Sequence, residues 1–170
     1  MGEEIINKIA QSGIVTIDLE NFYPKEAPMV IDLTGFLFMG QILKEKHFRE
    51  QLSQIDWSSY QDQYVVITLT TDTLIPNWAY MLLASLLQPF AAEIHIGTKE
   101  SFIEQKILSN IKTAIQPSAY FDGRVVVKGC GDRTIPASAY AEITSILRPV
   151  AKSIMYGEPC STVPVYKKKA

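Results

Sequence analysis

Hydrophobic and polar residues follow each other along this chain in a pattern that predicts strands and helices in turn. Two short β-branched runs, at residues 65–67 and 125–127, are typical of buried strands. After each run a loop leads to a proline, and a mainly apolar stretch of helical length ends before a second proline. A further short strand is predicted in both places, at 93–96 and 153–156. Each segment is therefore predicted to be a β–α–β unit with two parallel strands.

The two predicted β–α–β units are copies of one pattern. Residues 60–97 align with residues 120–157 without a gap, and fifteen of the thirty-eight aligned pairs are identical. The identical pairs include Pro76 with Pro136, and shared local structure alone does not explain an ungapped match of this kind. The chain is therefore predicted to contain an internal repeat with an offset of sixty residues.

Outside the copies the pattern predicts three more helices and an edge of strands. Apolar residues recur with a helical period over residues 101–115 and 44–55, and a short helix is predicted at 3–10. Three strand-like runs lie before the first copy, and we expect them to be antiparallel strands at the sheet edge. They span residues 14–19, 29–33 and 36–43.

These elements predict a single α/β domain over residues 1–170, built around a largely parallel sheet. Its predicted parts are a β-rich N-terminal part (1–59), the first copy (60–97), a linking helix (98–119), the second copy (120–157) and a C-terminal tail (158–170).

Composition and charge narrow the class of protein. Of the 170 residues 47% are hydrophobic and 20% are charged, and the net charge is −2, as in an ordinary soluble domain. This balance gives no electrostatic reason to expect nucleic-acid binding, and the acidic N-terminus does not resemble a signal peptide. An uncharged stretch at 73–92 is interrupted by Pro76 and Pro89, so its helix is too short to cross a bilayer. We therefore expect a cytoplasmic protein that binds neither nucleic acid nor membranes.

Two cysteines provide the candidate chemistry. Cys130 follows the first strand of the second copy between Gly129 and Gly131, whereas Cys160 follows the second strand. Because the two strands are predicted to be parallel, they end at one edge of the sheet, about 4.8 Å apart if they are neighbours or about 10 Å if one strand lies between them. Open α/β sheets bind their ligands at this edge. We therefore expect the two thiols to lie close together, with the glycines allowing close backbone approach. The first copy has no cysteine at the matching positions, so the pair belongs to the second copy alone.

The role of the pair depends on what else lies around it. The thiols are expected to bind a metal ion or to form a dithiol, with Asp132 and Glu158 as accessory oxygen ligands. Asp132 has a counterpart in Asp72 of the first copy, which favours a turn or capping role. The structural alternative is a pair of buried, inert cysteines. His47 and His95 are predicted to be ordinary structural or surface residues, so no base for a nucleophilic cysteine is indicated.

Several segments resemble one protein family. They include Lys-Gly-Cys-Gly at 128–131 and Gly-Glu-Pro-Cys-Ser-Thr-Val-Pro at 157–164, together with residues 18–24, 78–84 and 153–156. At these segments the chain resembles a bacterial family, domain of unknown function 2480, over essentially its whole length. The resemblance implies no established activity. It does imply genomic neighbourhoods that contain iron–sulfur cluster assembly genes, and with that association Cys130 and Cys160 would be ligands or sulfur-handling thiols.

The leading hypothesis from the sequence is an intracellular thiol or metal-binding protein that uses Cys130 and Cys160. Its candidate cofactors are zinc or an iron–sulfur cluster, and its candidate partners are a second copy of the chain, in a homo-oligomer, and iron–sulfur assembly proteins. The alternative is a non-enzymatic interaction or scaffold protein with structural cysteines. A small-ligand enzyme that uses the cleft at the strand ends is a third hypothesis, for which the sequence contains no catalytic constellation.

Overall fold

A computed structural model describes residues 13–129, 131–158 and 160–169. Within these residues the strands are β1 (Ile14–Asp18), β2 (Met29–Asp32), β3 (Tyr64–Thr68), β4 (Glu93–Ile96), β5 (Arg124–Lys128), β6 (Ser153–Glu158) and β7 (Ser161–Lys167). The helices are α1 (Glu45–Leu52), α2 (Asn77–Leu87), α3 (Lys99–Ala114) and α4 (Ala137–Leu147). The predicted mixed α/β class is confirmed. The helix predicted at residues 3–10 lies outside the described residues.

Prolines begin the two helices of the β–α–β segments, as predicted. Pro76 and Pro136 are the N-caps of α2 and α4, and both have extended backbone angles. Their carbonyl groups accept the first hydrogen bonds of the helices, from the backbone N–H groups of Ala79 and Ala139 at 2.9 and 3.0 Å. A proline suits this place because it has no N–H group that a helix start would leave unpaired.

The strands form two sheets, whereas the sequence predicts one. The first sheet has the order β1-β5-β6-β7 and the second has the order β2-β3-β4. Every neighbouring pair is parallel except β6–β7, so the expectation of largely parallel sheet is confirmed. The two strands of each β–α–β segment are direct neighbours, and each segment takes a third strand from the N-terminal part of the chain.

The prediction of antiparallel strands in the N-terminal part is wrong. β1 pairs with β5 and β2 pairs with β3, both in parallel. The run at 36–43 contributes one isolated bridge, between Phe38 and Ile42, because Leu33–Phe36 forms a 3₁₀ turn directly after β2. An alternating pattern shows which face of a strand is buried, but it does not encode the direction of a partner far along the chain.

The antiparallel pair lies instead at the C-terminal end of the chain. β7 returns along β6 after a tight turn, with Glu158 opposite Ser161. Residues 161–167 are therefore a strand and not the tail that the sequence predicts. The run Ser161–Lys167 contains Pro164, and a proline in a strand is tolerated at a sheet edge, which is where β7 lies.

The chain divides into two compact units. Unit 1 consists of Met1–Pro24 and Ile103–Ala170, and unit 2 consists of Lys25–Phe102. Each unit has its own hydrophobic core, with Ile143 and Leu147 of α4 in unit 1. The prediction of a single domain concerns folding cooperativity and stays a prediction. None of the described helices is long and apolar enough to cross a membrane.

Candidate functional site

The candidate site lies in unit 1, where β1, β5 and β6 end. β5 and β6 are parallel neighbours, and on the other side of β5 the last residue of β1, Asp18, pairs with Lys128. β5 leads into Gly129, and β6 leads into the turn that contains Cys160. The two segments that carry the cysteines therefore leave adjacent strands at the same sheet edge. Cys160 is an exposed free cysteine, whereas Cys130 lies outside the described residues, so the approach of the two thiols stays a prediction.

Lys128 joins the ends of the three strands. Its Nζ atom lies 3.3 Å from Oδ2 of Asp18 and 3.5 Å from Oε1 of Glu158. The hydrogen bond and charge of Asp18, together with the charge of Glu158, raise the pKa of Lys128 above its ordinary value. Lys128 stands two residues before Cys130, and Glu158 stands two residues before Cys160. This ion pair therefore ties together the segments that carry the two cysteines.

Glu20 packs against the loop that follows Cys130. Its Oε1 atom accepts a hydrogen bond from the backbone N–H of Arg133 at 3.2 Å. A Cβ atom on Gly131 would collide with the same carboxylate, so a glycine is needed for this close approach. The guanidinium group of Arg133 lies over the ring of Tyr23, 4.6 Å from its centroid. The loop after Cys130 is thus held against the turn that follows β1.

Gly129, on the other side of Cys130, is approached by an aromatic side chain. A Cβ atom at this position would lie only 2.5 Å from the hydroxyl oxygen of Tyr140 and 3.2 Å from Cγ1 of Ile135. The glycines predicted to surround a ligand therefore also make room for Tyr140 and Glu20, which come from α4 and from the turn after β1.

The two predicted accessory residues differ in their surroundings. Both are exposed, but Glu158 is paired with Lys128, whereas Asp132 lies in the loop before α4. Among the described residues, which leave out Cys130, no three His, Cys, Asp or Glu side chains are grouped to hold a metal ion. His95 lies in unit 2, where its Nε2 atom is 2.8 Å from the hydroxyl of Ser101. Ser101 also exchanges hydrogen bonds with Thr98 at the start of α3, an arrangement that resembles a capping box.

Asp18 and Glu20 are site residues that the sequence analysis misses. Both belong to an Ile-Asp-Leu-x-x-Phe pattern at residues 17–22, which recurs at 31–36. Each aspartate caps a 3₁₀ turn, since Asp18 accepts a hydrogen bond from the N–H of Glu20 at 3.0 Å and its counterpart makes the same bond at 2.9 Å. This recurrence is the pattern in the sequence that could have identified the two residues. It marks two equivalent first strands, each of which belongs to a different sheet.

The equivalent sheet edge of unit 2, at the ends of β2 and β3, contains a hydrogen-bonded cluster. Thr70, sixty positions before Cys130, donates its hydroxyl to Oδ2 of Asp32 at 2.6 Å. Its backbone N–H also donates to Asp32, at 3.4 Å, and that of Thr34 does so at 2.9 Å. Burial would raise the pKa of Asp32, but the hydrogen bonds from Thr70 and Thr34 outweigh it and hold the pKa below its ordinary value.

The substitution Thr70→Val is expected to lower the free energy of unfolding near neutral pH by about 1 kcal/mol, through loss of the hydroxyl donor to Asp32. A lowered folded-state pKa stabilises the fold above the unfolded pKa, and this stabilisation is lost as the pH falls through the folded-state pKa. The difference between variant and wild type should therefore shrink on acidification. Urea unfolding over a pH series measures it.

Thr73→Val is the matched control for this prediction. The Thr73 hydroxyl donates to the backbone carbonyl of Gln41 at 2.9 Å, so the bond involves no titrating group. The decrease in the free energy of unfolding caused by Thr73→Val should therefore be independent of pH. A pH-independent difference for Thr70→Val as well would show that Thr70 does not hold Asp32 in its charged form.

Comparison with known proteins provides a family for this chain. No curated protein and no solved structure is significantly similar to it. A family model described as "Protein of unknown function (DUF2480)" matches residues 3–168 and so covers nearly the whole chain. The resemblance noted from residues 128–131 and 157–164 is thereby confirmed, and the chain belongs to the DUF2480 family of proteins of unknown function.

Proposed function

We propose that this protein acts through a paired thiol site, formed by Cys130 and Cys160, that binds a soft metal ion or reacts as a dithiol. The observation that carries the proposal is the Lys128–Glu158 ion pair, with 3.5 Å between Nζ and Oε1. Each of these residues stands two positions before one of the cysteines. Neighbouring strands lie about 4.8 Å apart, so the residues that follow them are within reach of a common ligand.

The charges at this edge support thiolate chemistry. The thiolate is the form of cysteine that attacks electrophiles and binds metals, and a nearby cation lowers the pKa of a thiol. Lys128 is the cation of this edge, and its ion pairs with Asp18 and Glu158 fix it between the strand ends that lead to the two cysteines. Cys160 is exposed and accessible to a reactant. A free, exposed cysteine also suits a reducing compartment, so we place the site in the cytoplasm.

A metal at this site would need more than the two thiolates. Zinc usually takes four ligands, of which Cys130 and Cys160 would supply two. Glu158, Asp132, water or a second copy of the chain would supply the others. A ligand from a second copy would make the protein a homo-oligomer, and an iron–sulfur cluster would require assembly proteins as partners.

Substitution of each cysteine tests the proposal. Cys130→Thr introduces the residue that the first copy has at this position, and Cys160→Ser removes the second thiol. The anaerobically purified wild type should contain bound metal, or it should form an internal disulfide when a mild oxidant accepts the two electrons and two protons of the thiols. Each single variant should lose both properties. Elemental analysis, thiol titration and intact mass measure them.

Two further variants show whether the site works as described. Lys128→Met should slow the reaction of the thiols with Ellman's reagent at neutral pH, because the cation that favours the thiolate is gone. Ser161→Ala, next to Cys160, is the matched control and should leave metal content, disulfide formation and reaction rate unchanged. The proposal is wrong if the wild type binds no metal and forms no disulfide, and both thiols are unreactive in the folded protein.

The second candidate function is a non-enzymatic interaction protein with structural cysteines. β7 is an edge strand on which Val163 and Val165 are 60% and 54% exposed. An edge strand with exposed apolar side chains offers unpaired backbone groups to a partner strand. Light scattering and affinity capture test this function, and a strictly monomeric protein that captures no partner would count against it.

A further inference from the structure

A pocket of about 520 Å³ lies in unit 1 between α4 and the β6–β7 hairpin. Its walls come from β5, β6, α4 and β7, and they include Val127, Tyr140, Ala141, Tyr156 and Val165. The rings of Tyr140 and Tyr156 pack edge to face with their centroids 5.7 Å apart, which forms an aromatic wall. The volume falls within the range of small-molecule sites.

Two local features produce this pocket. α4 carries the small Ala141 where the matching helix of unit 2 carries Met81, whose side chain is 71% exposed. β7 adds a fourth strand to this sheet, whereas the sheet of unit 2 has three. The pairing of β6 with β7 shifts after Ile154, which leaves Val165 without a partner residue in the register and places it at the pocket wall.

The lining favours an apolar ligand. Two hydroxyl groups at the pocket, those of Thr144 and Ser145, donate to carbonyl groups of their own helix at 2.6 and 2.9 Å. Their hydrogen-bonding capacity is thus largely used within α4. The remaining lining is mainly aliphatic and aromatic, so a ligand gains most by burying an aromatic or branched body there.

The pocket adjoins the sheet edge that carries the cysteines. Tyr140, which lines it, places its hydroxyl 2.5 Å from where a Cβ atom on Gly129 would be, and Gly129 precedes Cys130. Tyr156 stands two residues before Glu158, the partner of Lys128. Tyr140 and Tyr156 therefore place one side of the pocket close to the strand ends that lead to the cysteines.

We infer that this pocket binds the aromatic body of a small molecule whose reactive end reaches the proposed thiol site. The inference rests on the proposed thiol function, and it adds the substrate class: a compact, largely apolar molecule with a group that a thiolate recognises. The pocket supplies affinity and position, and the cysteines supply the chemistry.

A pair of maleimides tests the inference. N-methylmaleimide and N-phenylmaleimide have the same electrophilic double bond, to which a thiolate sulfur adds while the neighbouring carbon takes a proton from water. With the wild type, the rate of reaction with the phenyl compound should saturate as its concentration rises. The ratio of the phenyl rate to the methyl rate, the phenyl advantage, should be about tenfold higher for the protein than for glutathione, equivalent to about 1.4 kcal/mol of binding. Time courses of adduct formation in solution, followed by mass spectrometry, measure both rates.

Ala141→Met is the key variant, because it introduces the side chain that unit 2 has at this position. It should remove the phenyl advantage, so that the ratio of the two maleimide rates falls to the ratio seen with glutathione. Met81→Ala is the reciprocal control in unit 2 and should retain the advantage. Val165→Phe fills the pocket from the opposite wall, which provides a second variant if circular dichroism shows that Ala141→Met is not folded.

A dye distinguishes failure of the pocket from failure of the thiol site. 1-Anilinonaphthalene-8-sulfonate should bind the wild type and the Cys130→Thr/Cys160→Ser double variant with one-to-one saturation, and it should bind at least tenfold more weakly when the pocket is filled. If the thiols react with neither maleimide, and the protein also binds no metal and forms no disulfide, the proposed function fails and dye binding alone tests the pocket. Dye binding unaffected by both filling variants, or equal maleimide selectivity in protein and glutathione, would overturn the inference.

Discussion

Replacing Gly157 with alanine is expected to lower the free energy of unfolding by about 3 kcal/mol, because the backbone there leaves no space for a side chain. Gly157 has a φ of 116°, a conformation that residues with a side chain rarely adopt. A Cβ atom would lie 2.6 Å from the carbonyl oxygen of Ser161, which belongs to the backbone of β7. The hairpin would therefore have to open at the turn that carries Cys160.

Gly97→Ala is the matched control, since Gly97 closes the equivalent strand of unit 2. Its φ is 148°, but the atom that a Cβ would meet at 2.6 Å is the hydroxyl oxygen of the Ser101 side chain. A side chain can rotate away, so we expect a loss of about 1 kcal/mol. Urea unfolding measures the loss of unfolding free energy in both variants. Faster hydrogen exchange of the β7 amides in Gly157→Ala would show that its larger loss arises in the hairpin. Equal losses would contradict the described hairpin.

Leu147→Ala is expected to destabilise the protein by about 3 kcal/mol, since it leaves a cavity in the core of unit 1. The Leu147 side chain is fully buried, and the core cluster around it includes Ile143 and Val125. Leu87→Ala makes the equivalent cavity in unit 2, where Leu87 is also fully buried. The two substitutions form a matched pair because their positions correspond in the sixty-residue repeat that the sequence predicts.

This pair also tests the prediction of a single domain. Both tryptophans, Trp57 and Trp78, belong to unit 2, so tryptophan fluorescence follows that unit, whereas far-ultraviolet circular dichroism follows the whole chain. If the chain folds as one domain, Leu147→Ala should shift the fluorescence transition as much as the dichroism transition. A fluorescence midpoint that responds to Leu87→Ala alone would show that the two units unfold independently.

Much of the candidate site was accessible from the sequence, because it depends on local patterns. The β-branched run before Gly129 and the strand before Cys160 predict parallel strands that end at one sheet edge, and the structure contains them as the direct neighbours β5 and β6. The Lys128–Glu158 ion pair follows from that pairing. Asp18 was not accessible in the same way, since it stands more than a hundred residues before Lys128 and reaches it only through the pairing of β1 with β5.

The pocket depends on tertiary structure in the same sense. Ala141 and Val165 are unremarkable in the sequence, and residues 161–167 contain one charged residue and lead into the lysine run at 167–169, as the start of a solvated tail would. Only the pairing of β7 with β6 brings Val165 to α4 and forms the fourth wall. A pocket is a property of surfaces that meet, and single-sequence patterns describe one surface at a time.

The sequence by itself determined the four described helices, the strands of the two β–α–β segments and the common sheet edge at which the strands that lead to the cysteines end. These features depend on hydrophobic period, on prolines at helix ends and on short crossovers, all of which act over about forty residues or fewer. The tertiary structure alone decided that β1 joins β5 while β2 joins β3, and that β7 becomes a strand. Backbone hydrogen bonds between strands are the same for every sequence, so the choice among distant partners depends on which arrangement buries the apolar faces of the whole chain.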